Sequence, residues 1–208
     1  MIILGIETSC DETAASIFKN DTLLSSIIFS QIKIHKKFGG VVPEIASRNH
    51  LEKINLIIEK AVKDAKIKFE DIDLISVANQ PGLIGSLIIG SAAAKALSYT
   101  LNIPLKTVNH IKAHIFANFI EHKGLKPPFL SLVISGGHSF LAKVNTDLSI
   151  EKIGKTRDDA IGEAYDKIAR ILGLPYPGGP NLEKISQTGD ENFIFFKRSL
   201  IDEDNFDF

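Results

Sequence analysis

The sequence predicts an α/β fold, on three observations. Short apolar runs alternate with stretches of helical periodicity. One unit, an apolar strand followed by a tight small-residue turn and a returning strand, occurs near residue 2 and again near residue 129. A histidine pair, His110 and His114, opens a helix directly after a short strand. Alternating strands and helices imply packed α/β layers, a repeated unit implies a duplicated fold, and ligands of open α/β sheets gather at strand ends.

The elements follow in order. Ile2 to Ile6 is a short apolar run suited to a buried central strand. Glu7-Thr8-Ser9-Cys10-Asp11-Glu12-Thr13 is dense in hydroxyls and carboxylates. Ala14 to Phe18 resumes a strand, and Lys19-Asn20-Asp21 turns into a third from Thr22 to Ile32. Such a hairpin tip reads equally as an ordinary polar turn or as a phosphate cradle in which Asp11 holds magnesium or a nucleophile. His35-Lys36-Lys37-Phe38-Gly39-Gly40 reads as a basic loop, with Lys33 beside it as a further cation for a phosphate backbone.

Pro43 suits a helix start. From Glu44 to Lys66 the apolar positions Leu51, Ile54, Ile58, Ala61, Val62 and Ala65 recur at helical spacing. Leu74 to Ala78 is a strand. The turn at Gln80–Ser86 opens a helix from Leu87 to Tyr99 that is apolar nearly all round, which predicts burial between layers. Gly82, Gly85 and Gly90 cradle an anion at that helix start or, more simply, permit close packing.

Ile103 to Val108 is a strand, and the helix behind Asn109 carries His110 and His114 one turn apart on one face, where a single divalent ion reaches both. The plainer alternative is two solvated histidines. Ile111 stands where a zincin would need its glutamate. Pro127-Pro128 marks a boundary. Phe129 to Ile134 and Phe140 to Val144 flank Ser135-Gly136-Gly137-His138-Ser139, whose glycines admit a ligand close to the backbone. Thr156 to Leu172 reads as a helix capped by Asp158, Asp159 and Glu163, with Asp166 deeper inside it. A rigid loop, Gly173 to Pro180, then feeds a helix from Asn181.

Composition bounds the function. The 208 residues are 44% hydrophobic, enough for one or two domains with a core. A single cysteine, Cys10, excludes an internal disulfide and fits a reducing compartment. No signal peptide is visible, and no apolar stretch reaches the roughly 18 residues of a membrane span. Lys plus Arg is 24 against 25 for Asp plus Glu, so any contact with a polyanion must come from a local patch.

Several stretches together resemble one family. Gly5-Ile6-Glu7-Thr8-Ser9-Cys10-Asp11-Glu12-Thr13, Gly39-Gly40-Val41-Val42-Pro43-Glu44-Ile45-Ala46-Ser47-Arg48, the His110/His114 pair, Ser135-Gly136-Gly137-His138 and Tyr176-Pro177-Gly178-Gly179-Pro180 look like the signatures of the TsaD family in its bacterial form. These are the tRNA N6-adenosine threonylcarbamoyltransferases, formerly described as O-sialoglycoprotein endopeptidases. The resemblance implies an actin-like, Hsp70-like ATPase fold of duplicated ribonuclease H-like lobes, here residues 1–107 and 108–208. It implies transfer of a threonylcarbamoyl group from threonylcarbamoyl-AMP to the adenosine next to the anticodon, in tRNAs reading codons that start with A.

By the same resemblance Asp11 and Glu12 are catalytic, and Val133, Ile134, Ser135, Gly136, Gly137, Asp166, Gly179 and Glu183 bind the nucleotide or threonyl moiety. His110 and His114 hold iron or zinc, and magnesium accompanies ATP. A TsaB-like actin-fold paralogue and a TsaE-like ATPase are the implied partners, with a cytoplasmic location and no membrane. The family's third metal ligand, an aspartate, and a nucleotide-contacting asparagine have no counterpart before residue 208, so the expectation is a truncated chain with an incomplete second lobe, prone to self-association. Two other readings compete: a non-catalytic actin-like partner subunit, and a metalloprotease, against which Ile111 counts.

Overall fold

The computed structural model describes residues 1–208 and divides into two compact units, Met1–Lys123 and Gly124–Phe208. In the first, β1 (Ile2–Glu7), β2 (Glu12–Lys19) and β3 (Thr22–Ser30) form an antiparallel meander. β4 (Leu74–Gln80) pairs parallel with β1, and β5 (Leu105–Asn109) parallel with β4, in the order β3-β2-β1-β4-β5.

Period-2 alternation sorts the two faces of this sheet. Leu4 and Ile6, Ala15 and Ile17, and Ile75 and Val77 point one way and form the core with Ile54, Ile58, Ala61, Val62 and Ala94. That core comes from α2 (Pro43–Asp64) and α3 (Ile84–Leu101). The opposite face carries Gly5, Glu7, Ser16 and Ala78, which line a cavity of about 220 Å³ together with Ala113 of α4 (His110–Glu121).

Several expectations are corrected here. The His35–Gly40 stretch, expected as a basic loop, is helical through Phe38: α1 (Ile32–His35) runs into a 3-10 turn, Lys36–Phe38. His35 is fully buried, its Nε2–H donating to Gln31 Oε1 at 3.2 Å while Nδ1 accepts from Val42 N–H at 3.3 Å. It therefore has a structural use and leaves only Lys33, Lys36 and Lys37 at the surface. The third strand accordingly stops at Ser30.

Helix α3 is not sandwiched between layers. Only Ser86, Gly90 and Ala94 are buried, on the side facing α2 and β4, while Ile84 and Tyr99 are 77% and 90% exposed. It is also long and apolar enough to cross a membrane by length and composition, with mean hydropathy 1.3, which the sequence expectation did not foresee. An all-round apolar helix packed on one side leaves its other side uncovered. Leu51, counted with the buried face of α2, likewise points outward, because the buried row is Ala46, His50, Ile54, Ile58, Ala61 and Val62.

The second unit holds the antiparallel sheet β6 (Phe129–Ile134), β7 (Ser139–Val144) and β8 (Ile150–Lys155). It repeats the β1-β2-β3 meander. Val133, Phe140, Ala142 and Val144 are buried, whereas Leu130, Leu132 and Ile134 form an uncovered face. Helices α5 (Ile161–Ile171) and α6 (Gly178–Ser186) follow.

Helix α5 begins later than the acidic residues suggest. Its leading N–H, Ile161, donates to Ser139 Oγ at 2.9 Å, and no side chain of its N-cap residue Ala160 takes part. Asp159 and Glu163 pair instead with Lys167, at 2.7 and 3.1 Å. Helix α6 starts at Gly178 rather than Asn181, so the Gly-Pro stretch supplies its first turn. The division at Lys123 also assigns α4, with both histidines, to the first unit, later than a break after residue 107.

Candidate functional site

The carboxyl ends of β1, β4 and β5 meet at Glu7, Gln80 and Asn109, the usual ligand edge of a parallel sheet. Asn109 is the N-cap of α4, its side chain accepting from Lys112 N–H at 3.1 Å, which starts the helix at His110. His110 and His114 then share a face, as their spacing requires. Their rings meet edge to face with centroids 4.4 Å apart, and their Nε2 atoms are 3.0 Å apart.

Two nitrogens bound at about 2.05 Å to a tetrahedral ion would stand roughly 3.3 Å apart, so the pair fits as two ligands of one divalent metal. No third His, Cys, Asp or Glu joins them in a metal-holding cluster. Ile111 is only 8% exposed and faces the core, so nothing at that position reaches the pair.

Glu7 was not singled out by sequence reasoning, yet it organises this corner. His110 Nδ1 lies 2.8 Å from Glu7 Oε2 and 3.1 Å from Ser9 Oγ, and Glu7 Oε1 accepts from Ser9 N–H. Burial alone would raise the Glu7 carboxyl, but the hydrogen bonds from His110 and Ser9 carry it below the ordinary carboxylate range. The signal for it was the strand alternation, which turns Glu7 away from Leu4 and Ile6 toward α4.

The turn after β1 is clamped from several sides. Thr8, fully buried, donates from Oγ1 to Ser86 O at 2.9 Å. Leu83 N–H donates to Ser9 O at 2.7 Å. His50, also fully buried, donates from Nε2–H to Cys10 O at 2.9 Å and accepts at Nδ1 from the Thr13 hydroxyl at 2.7 Å. Glycines permit the close approach: a Cβ on Gly82 would stand 2.5 Å from Ser9 O, and one on Gly90 2.3 Å from Thr8 Oγ1. Of the two uses considered for these glycines, packing is what their contacts show.

On this turn Asp11 is buried. Burial, then the charge of Asp11, pushes Glu12 up to about 7. Cys10 is exposed at the surface, yet partial burial of its thiol and the neighbouring Asp11 carboxylate push that thiol up to about 12.

The second unit has a parallel construction. Its turn is closed by Ser135 N–H to His138 O at 2.8 Å and His138 N–H to Ser135 Oγ at 3.0 Å. Gly136 and Gly137 face open space. Gly162 N–H donates to Ser135 O at 3.2 Å, and a Cβ there would stand 2.7 Å from that oxygen. One turn further along α5, Asp166 Oδ1 accepts from Gly178 N–H at 2.7 Å, capping α6. Helix α5 thus joins the Ser135–Gly137 turn to the Gly178–Gly179 start of α6. Val133 is buried, so only its backbone is available to a ligand, whereas Ile134 and Glu183 are exposed.

Comparison with known proteins adds three findings. A family model described as TsaD, tRNA N6-adenosine threonylcarbamoyltransferase, matches residues 22–208. A curated protein of that name from Clostridioides difficile (strain 630) is 54% identical over all of this chain, and one from Thermosipho melanesiensis is 53% identical. The chain spans 62% and 64% of their lengths. Among solved structures, a ROK hexokinase from Thermus thermophilus has a TM-score of 0.55 at 17% identity, covering 92% of this chain and 71% of that one. YeaZ from Pseudomonas aeruginosa has a TM-score of 0.51 at 12% identity, covering 74% and 64%. At such identities the likeness carries the fold alone, an actin-like α/β ATPase fold.

Proposed function

The chain belongs to the TsaD family of tRNA N6-adenosine threonylcarbamoyltransferases, and from that premise we propose that it acts in threonylcarbamoyl transfer. The group moves from threonylcarbamoyl-AMP to N6 of the adenosine beside the anticodon, in tRNAs reading codons that start with A. The single observation that carries this reading is the convergence of the His110 and His114 Nε2 atoms, 3.0 Å apart, at the strand edge that also bears Asp11 and Glu12. In this reading the two histidines hold Fe²⁺ or Zn²⁺, which when bound polarises the carbamoyl carbonyl as a Lewis acid.

The chain's own groups do the rest. N6 forms a bond to the carbamoyl carbon, the bond from that carbon to the adenylate oxygen breaks, and AMP leaves. Glu12, titrating near 7, takes the amine proton, since a base poised near working pH is effective. Burial, and then the charge of Asp11, holds Glu12 in that range. In the second unit the Ser135–Gly137 backbone receives phosphate, and Asp166, Gly179 and Glu183 contact the nucleotide or the threonyl part. Because Asp166 Oδ1 already accepts from Gly178, its other oxygen is the one offered to ligand. Magnesium accompanies ATP in the same reading.

A TsaB-like actin-fold paralogue and a TsaE-like ATPase act as partners. The uncovered apolar side of α3 supports a protein partner, and a tRNA substrate favours the cytoplasm. The protease alternative is disfavoured by buried Ile111, and the role of a non-catalytic partner subunit by the histidine pair.

The test is transfer of radiolabelled threonylcarbamoyl to tRNA, with both partners added, by the parent, His110→Ala and Glu12→Gln. The reading expects a loss of at least 100-fold in each variant, and an acid limb near pH 7 in the parent profile that Glu12→Gln removes. Undiminished transfer by either variant would refute its assigned role.

A further inference from the structure

Glu7 lies 103 positions from His110 in sequence and is not part of the site derived from the histidine spacing. Its two carboxylate oxygens have different partners: Oε1 accepts from the Ser9 backbone N–H, and Oε2 faces His110 Nδ1 at 2.8 Å. We propose that Glu7 is a positioning residue that fixes His110 in the Nδ1–H tautomer, so that the Nε2 lone pair is turned toward His114 and a metal. The proposal rests on the metal reading above for its consequence, but not for its geometry.

A carboxylate can only accept, so the nitrogen facing Oε2 must be the protonated one. A neutral imidazole has one N–H, which leaves Nε2 bare. Ser9 Oγ, 3.1 Å from the same Nδ1, imposes no such choice, because a hydroxyl both donates and accepts. The clamp on Ser9 keeps the arrangement in place: Leu83 N–H holds its carbonyl, and Gly82 packs against its backbone. Glu7 is thereby oriented by the same turn that carries Asp11 and Glu12.

Glu7→Gln isolates the effect. An amide has one acceptor oxygen where the carboxylate has two. The Ser9 N–H cannot change its character, so it takes the amide oxygen. The amide NH₂ then faces His110 Nδ1 and donates to it, which drives the proton to Nε2, the atom a metal needs.

The experiment records ¹⁵N imidazole spectra of the metal-free chain as parent, Glu7→Gln and Ser9→Ala, with circular dichroism to confirm that each is folded. The parent and Ser9→Ala are expected in the Nδ1–H form, and Glu7→Gln in the Nε2–H form. In parallel, Co²⁺ affinity is expected to fall 10- to 100-fold in Glu7→Gln, as for other groups that orient a ligating histidine. A Glu7→Gln spectrum that keeps the Nδ1–H form, or a tautomer change in Ser9→Ala alone, overturns the proposal. A parent that takes up no Co²⁺ overturns the metal reading instead, and the spectra still decide the role of Glu7.

Discussion

Gly90→Ala is the sharpest probe of how α3 holds the turn after β1. The added Cβ would stand 2.3 Å from Thr8 Oγ1, 3.2 Å from its Cγ2 and 3.3 Å from its Cβ, about 1 Å inside normal contact at the oxygen. Thr8 has no solvent to retreat into, being fully buried. Rotating its side chain brings another substituent against the same carbon.

Overpacking of this kind costs about 1–3 kcal/mol. Loss of the 2.9 Å bond from Thr8 Oγ1 to Ser86 O adds about 0.5–1.5 kcal/mol. Alanine in place of glycine in a helix returns about 0.8–1.0 kcal/mol. The balance centres on about 2 kcal/mol of destabilisation.

Thr8→Ala removes Oγ1 and Cγ2 and leaves only the 3.3 Å approach. Ser86 O stays satisfied by the helical N–H four residues on. The double variant should therefore be less destabilised than the sum of the singles, by about 1–2 kcal/mol. Urea unfolding of the four proteins, followed by circular dichroism, gives the coupling. Additivity within about 0.5 kcal/mol, or a Gly90→Ala protein as stable as the parent, would refute the packing argument.

Three other outcomes follow from the site. Burial holds His50 below its ordinary value of 6.5, so the unfolded chain takes up a proton near that pH and the folded one does not. Its contribution to stability is complete above about pH 6.5 and declines as pH falls toward the lowered value, by at most about 1.4 kcal/mol per pH unit; the melting temperature of the parent, compared with His50→Gln, should fall more steeply between pH 6.5 and 5. Cys10 is exposed, but with its thiol pushed up to about 12 it should react with iodoacetamide at pH 8 more slowly in the folded chain than after unfolding, whereas equally rapid labelling of folded protein would contradict that environment. Lys36→Ala with Lys37→Ala should weaken tRNA binding and flatten its log–log salt slope by about 2 without touching adenylate binding; an unchanged slope removes this patch as the tRNA contact.

Much of the architecture was legible because it is written in local periodicity. The i, i+4 spacing of His110 and His114 fixed their common face, and both hairpin turns announced themselves between apolar runs. What stayed hidden depended on partners far away in sequence. An all-round apolar helix such as α3 carries no information about which side is covered. A histidine in a basic run reads as solvated, yet Gln31 and the Val42 N–H draw His35 inside. Ile150–Lys155 is only partly alternating, so β8 left no clear trace. Glu7 was visible only as one carboxylate in a polar turn until the 103-residue separation to His110 was closed by the fold.

The bond from Leu83 N–H to Ser9 O has a mechanical consequence. Leu83 is the N-cap of α3, whose 18 residues make a rod about 27 Å long. The turn carrying Cys10, Asp11 and Glu12 is fastened to one end of that rod, with Gly82 and Gly90 removing the slack that side chains would leave. A tilt of roughly 2° about the far end moves the fastened end by about 1 Å over this length, a distance comparable to the tolerance of a hydrogen bond. A load near the exposed Ile88, close to the fastened end, would therefore shift the turn that carries Asp11 and Glu12 without touching either residue.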